Sequence, residues 1–340
     1  MSPKLKNSVR IWKFARDLGI KPTDDPVGGI LRFCDQRIRK VLGDFPDCKT
    51  LFDLLDCAAS KVGTFFETAY TDIELERVKS KYLKKGEKAF VQLEEDLSED
   101  VFGITFKRFN REFWEPEFVS VIDCRGAKAA RSYYTKWHEV AHLLVLTDQM
   151  RLSFRRTHCP TTNKDPEEAL IDVIAGTFGF YAPITQKYTK GEISFEAIED
   201  LRMDLCPEAS QQSSLIGFVK AWRDPCLLVH SKMALRKHEQ VKLIQGTFHF
   251  QEGPTPALRA VHVAVNDKAR EMGIVIYENM RIPERSVIHQ AFAEDNNYAE
   301  AEEDLGWWET SNGTVLPKCP VRVKARGSWD SVDALIIPIE

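Results

Sequence analysis

A chain of 340 residues with 43% hydrophobic side chains is long enough for one to three domains with buried cores. Its formal net charge of −4 offers no electrostatic case for a dedicated nucleic-acid binder, and no stretch approaches the roughly 20 apolar residues that span a membrane. The 8 cysteines are scattered without a CxxC pair and read as buried free thiols; with no apolar h-region between Met1 and Leu18, the expected compartment is the cytoplasm.

The N-terminal elements are helical. Residues 8–20 and 30–43 carry amphipathic patterns, the first with Ile11, Phe14, Ala15 and Leu18 on one face, and Pro22, Pro26 and Gly28-Gly29 punctuate between them. A third helical pattern runs from Lys49 to Tyr70 through Leu51, Leu54, Leu55 and Ala58, broken at Gly63, and a charged helix covers about 72–84. The character changes near residue 89. Phe90–Leu93, Val101–Phe106 and Phe118–Ile122 read as short strands, a small sheet leading into the next helix.

That helix carries His138-Glu139-Val140-Ala141-His142, an HExxH motif. Trp137, Ala141, Leu144 and Val145 recur on the face of Tyr134, and no Gly or Pro interrupts Ser132 to Thr147. Positions i and i+4 stack on one helix face, so His138 and His142 can bind one Zn²⁺ while Glu139 acts as general base on zinc-bound water. A catalytic zinc needs a third protein ligand. Downstream, Asp165-Pro166 reads as an N-cap with proline at the first helical position, and Glu168 and Asp172 share a face of the helix that follows. Glu168 as gluzincin-like third ligand, with Asp172 behind a zinc-bound histidine, would complete the set. Glu167 is a competing ligand without an i+4 carboxylate partner, and Glu168 also stands where a capping-box glutamate bonds back to the N-cap amide.

These residues carry a resemblance. Phe118–Asp123, a basic stretch with Arg125, Lys128 and Arg131, then Tyr134–Trp137, HEVAH and Leu143-Leu144, followed by Glu168, Asp172, Ala175-Gly176 and Pro183 in order, resemble the ImmA/IrrE family of metallo-endopeptidases over roughly residues 100 to 185. Phe178–Pro183 departs from the shorter aliphatic-Met-Pro close usual in that family, which bears on the helix end and the local pocket shape. The resemblance implies an α+β fold with a zincin-like core, one Zn²⁺ per chain, and cleavage of a specific protein substrate, a helix-turn-helix DNA-binding repressor. It lies closer to the IrrE branch, which implies a helix-turn-helix-like segment and a GAF-like C-terminal module.

After Pro183, Ser194–Leu205 and Ser210–Trp222 read as two helices around Pro207. The second offers only Gln211, Gln212, Lys220 and Arg223 to a groove, so helices packed on a core are expected rather than direct nucleic-acid binding. Cys226–Val229 and Val241–Ile244 read as strands, Gly253–Pro256 as a turn, and 256–270 as a helix. Gly273–Tyr277, Val321–Ala325 and Asp333–Ile337 read as further strands. The acidic run Ala293–Asp304 reads as a solvated loop, and Trp307-Trp308 as core or strand-pair residues.

The expected organisation is an N-terminal helical region (1–88), a zincin-like metallopeptidase core (89–190), a helical helix-turn-helix-like segment (191–225) and a C-terminal α+β module (226–340). The expected activity is zinc-dependent peptide hydrolysis with Glu139 as base and His138, His142 and Glu168 as ligands. Tyr133, Tyr134, Tyr181 and His158 are candidates to steady the oxyanion. The alternative is a zinc-stabilised, non-proteolytic regulatory or interaction protein.

Overall fold

A computed structural model of the chain describes residues 5, 8–21, 25–146, 153–157, 165–189, 191–236, 239, 255–293, 298–310 and 312–339, with only the backbone described for 153–157. It is mixed α+β and divides into two compact units, 1–185 with 201–214, and 186–200 with 215–340. Among the described residues no helix is long and apolar enough to cross a membrane.

In the first unit, α1 (Val9–Asp17) and α2 (Pro26–Asp44) bury Ile11 and Ala15 and the stripe Ile30, Cys34, Ile38 and Val41. Proline starts α2 at its first turn, so Gly28-Gly29 fall inside the helix rather than before it, where the missing side chain at Gly29 admits Ile20. Next, α3 (Leu51–Lys61) begins at a Thr50/Asp53 capping box and ends where Gly63 takes a left-handed φ of 75°. The chain then enters β1 (Thr64–Ala69) instead of continuing the helix toward Tyr70. A second capping box, Thr71/Glu74, starts α4 (Asp72–Lys84).

Phe90–Leu93 does not form a strand. Residues 88–92 make a 3₁₀ turn and Leu93–Asp96 one helical turn, because Phe90 is drawn into an aromatic stack with Tyr82 and Phe106, both centroids 4.4 Å away. The strands β2 (Val101–Lys107) and β3 (Phe118–Asp123) stand as expected. With β4 (Ser153–Thr157), which the sequence reading lacks, they form a sheet of order β1-β3-β2-β4; β1 runs parallel to β3 and the other pairs are antiparallel.

Both faces of this sheet are covered. Ile104, Phe106, Val119 and Val121 pack with Leu75, Val78, Tyr82 and Phe90 on one side. The opposite side carries Gly103, Thr105 and Ser120, and α5 (Ser132–Leu144) packs on the sheet there, in contact with β2, β3 and β4. Burial is almost continuous along α5, Lys136 included, which reaches Glu208 at 2.7 Å. The neighbour of α5 is α6 (Pro166–Gly179).

The second unit contains residues from α7 (Phe195–Leu205) and α8 (Gln211–Ala221), then an antiparallel sheet of order β6-β5-β9-β8-β7. Its strands are β5 (Leu227–Ala234), β6 (Ala257–Val265), β7 (Tyr298–Asp304), β8 (Pro320–Ser328) and β9 (Ser331–Pro338). The segment read as a helix from 256 is thus mostly β6, hydrogen-bonded along β5, and only Asp267–Glu271 is helical, capped by the Asn266 side chain. Ile274–Tyr277 is not a strand; both isoleucines are buried in the core and the chain beyond meets β6 at one bridge, Arg259–Arg281. Apart from Ala293, which ends a helix, the described part of the acidic run is β7. Ala299 and Glu303 face inward, and Glu303 accepts from Val287 N at 2.7 Å and Ser286 Oγ at 3.0 Å, capping the helix Val287–Ala293. Trp308 is buried in this core, while Arg285 covers the ring of Trp307 at 4.0 Å. Val241–Ile244, Gly253-Pro254, His158 and Cys159 lie outside the described residues. The other seven cysteines form no disulfide among the described residues: Cys34, Cys124, Cys206 and Cys226 are buried, and Cys48, Cys57 and Cys319 half-buried.

Candidate metal centre

The HExxH helix α5 presents His138 and His142 toward α6, and the rings meet edge to face with Nε2 atoms 3.2 Å apart. Glu168, in the first turn of α6, turns its carboxylate to both: Oε2 lies 3.3 Å from His138 Nε2 and Oε1 3.6 Å from His142 Nε2. Burial raises the Glu168 carboxyl, but hydrogen bonds and positive charge from the two histidines outweigh it and hold it well below the usual carboxylate range. The N-cap work falls to Asp165, whose Oδ1 accepts from Glu167 N at 2.8 Å. So Glu168 is turned to the histidines, and Glu167 is not among the converging donors.

Donors held by one tetrahedral zinc at its usual bond lengths stand about 3.3–3.4 Å from one another. Separations of 3.2, 3.3 and 3.6 Å match that edge length, and two imidazoles with one carboxylate form a donor set suited to zinc. Among the described residues this is the one His/Cys/Asp/Glu group gathered closely enough to hold a metal ion.

Asp172, one turn beyond Glu168, places Oδ1 2.9 Å from His138 Nδ1. Were an ion bound, accepting that N–H would leave the lone pair of His138 Nε2 for the metal beside Glu168 and His142. Two tyrosines tie the helices together: Tyr133 Oη donates to Gly179 O at 2.7 Å and Tyr134 Oη to Asp172 O at 2.8 Å. Close approach is possible because Gly179 has no side chain; a Cβ there would lie 3.2 Å from Trp137 Cδ1. Tyr181 Oη donates to Asp35 Oδ1 at 2.7 Å. All three tyrosine hydroxyls read as oxyanion candidates thus give their protons to oxygens of the protein.

Glu139 faces the sheet. Fully buried, it accepts from Thr105 Oγ1 at 2.6 Å through Oε2, while Oε1 is buried without a hydrogen-bond partner among the described residues. The sequence reading missed Thr105, Ser120 and Gly103. The signal was available: hydroxyl residues and a glycine occupy inward positions of otherwise apolar strands, where a buried polar group needs a partner.

No protein-family model matches the chain, and no curated protein matches it.

Proposed function

We propose that the chain is a zinc-dependent endopeptidase that cuts a specific protein, a helix-turn-helix transcriptional repressor. The observation that carries this reading is the convergence of His138 Nε2, His142 Nε2 and the Glu168 carboxylate within 3.2–3.6 Å, with Glu139 on the same helix as the histidines. His138, His142 and Glu168 would hold the ion, leaving a coordination position for water and the scissile carbonyl. When bound, zinc supplies a Lewis acid and lowers the pKa of water toward about 7. Glu139 takes a proton as the nucleophile attacks and returns it to the leaving amine. Asp172 holds His138 in the tautomer that ligation requires. An extended peptide is suited to an edge strand, and β4 has that place in the sheet. The repressor as substrate class comes from the family resemblance alone.

Zinc content and cleavage decide between this reading and a zinc-stabilised, non-proteolytic protein. The full chain, loaded with zinc, is expected to hold one ion and to cut a helix-turn-helix repressor at one site, mapped by mass spectrometry, while leaving casein nearly intact. Rapid degradation of casein overturns the selective reading; a zinc-loaded chain that cuts nothing in a repressor panel favours the non-proteolytic one.

A further inference from the structure

Behind Glu139 runs a buried row of hydroxyls. Thr105 Oγ1, 2.6 Å from Glu139 Oε2, is itself 2.6 Å from Ser120 Oγ, which lies 2.9 Å from Thr64 Oγ1. Thr64 is 5% exposed, Thr105 1%, and Ser120 and Glu139 0%. The three hydroxyl residues come from β1, β3 and β2, adjacent strands of one sheet.

Proton counting gives the row a direction. Each hydroxyl has one proton, and an ionised carboxylate only accepts. Thr105 Oγ1 donates to Glu139 Oε2, which leaves its oxygen to accept from Ser120, which in turn accepts from Thr64. Donation into a charged acceptor is the stronger kind of hydrogen bond, and a row of donors pointing one way polarises its last member. The other carboxylate oxygen is treated oppositely. Oε1 has no partner among the described residues; a Cβ on Gly103 would lie 2.7 Å from Thr135 Cγ2 and 3.2 Å from Oε1, so the glycine lets α5 seat both Thr135 and Glu139 against the sheet.

We propose that Thr105, backed by Ser120 and Thr64, is a positioning residue that anchors the Glu139 carboxylate by Oε2. The kinetic part of its test rests on the peptidase reading; the anchor does not. Satisfying a buried carboxylate would need donors on both oxygens, whereas this arrangement secures one and spares the other.

The test uses the full zinc-loaded chain and the variants Thr105→Val, Thr105→Ser and Ser120→Ala. Isotope-edited infrared difference spectra, taken with ¹³C-glutamate against Glu139→Gln, read the carboxylate at position 139 without need of turnover. Thr105→Val is expected to move that band and Thr105→Ser to restore it. On the mapped repressor peptide, Thr105→Val is expected to lower kcat about 10–100-fold with KM unchanged, part of the roughly 10²–10⁴-fold that a positioned general base contributes, and Thr105→Ser to recover most of it. All variants should keep their zinc, because the ligands lie on α5 and α6. A parent band with parent kcat in folded Thr105→Val overturns the proposal. Should Thr105→Val fail to fold, Ser120→Ala decides on the same two readouts, because it removes the donor behind Thr105. If the parent cuts no repressor, the peptidase reading falls, and the infrared band still decides the anchor.

Discussion

Asp172 Oδ1 sits 2.9 Å from His138 Nδ1, on the side of the imidazole away from the nitrogen that approaches Glu168 and His142. One carboxylate of α6 thus converges with two histidines while another, a helical turn later, orients one of them. Removing the second should weaken metal binding without abolishing it. Asp172→Ala is expected to lower zinc affinity about 10–100-fold, measured by competition with a chelator. An affinity equal to the parent's would reduce Asp172 to a surface carboxylate.

The ligand set makes a sharper prediction. His138→Ala, His142→Ala and Glu168→Ala should each purify with little zinc, whereas Glu139→Gln should keep one ion per chain and lose cleavage. Elemental analysis checks all four. Full occupancy in Glu168→Ala would remove the third-ligand assignment.

Asp123, at the end of β3, offers a test by pH. It accepts from Arg125 Nε at 2.9 Å and Lys128 Nζ at 2.7 Å with no side-chain exposure. Burial raises its carboxyl, but Arg125 and Lys128 more than compensate and leave it below its ordinary value. A lowered folded pKa means the stabilisation is complete above the ordinary carboxylate value and is lost as pH falls from that value down through the lower folded one. Asp123→Asn should cost about 1.5–3 kcal/mol at neutral pH. Urea titrations at several pH values should show the gap between parent and variant narrowing on acidification; a gap that stays constant would contradict the ion-pair origin.

Phe90 tests the aromatic stack. It is 1% exposed between Tyr82 and Phe106, so Phe90→Ala should destabilise by about 3–5 kcal/mol. A solvent-facing strand residue would cost far less, and chemical denaturation separates the two.

What the sequence made legible was local. The i, i+4 spacings of His138 with His142 and of Glu168 with Asp172 are properties of single helices, readable without knowing what packs on them. Errors arose where partners distant in sequence decide. Thr64–Ala69 reads as helix because a six-residue run cannot separate the two periods, and only its pairing with β3 makes it a strand. The composition of 256–270 suits a helix, yet hydrogen bonding to β5 overrides propensity over most of it. In β7 the acidic residues hide an alternation that places Ala299 and Glu303 inward. The hydroxyl row was the least legible part, because its members are 15 and 56 residues apart and meet only in the finished sheet.

That dependence separates two kinds of competence. The three converging metal donors belong to a pair of helices, while the groups that aim Glu139 belong to three strands. A one-residue slip of β2 would turn Thr105 to the opposite face and bring an apolar neighbour beneath the carboxylate, yet leave both histidines and Glu168 where they are. Metal content in a preparation would therefore report on the helices alone. A batch could be saturated with zinc and inert, and the fault would lie in strand pairing.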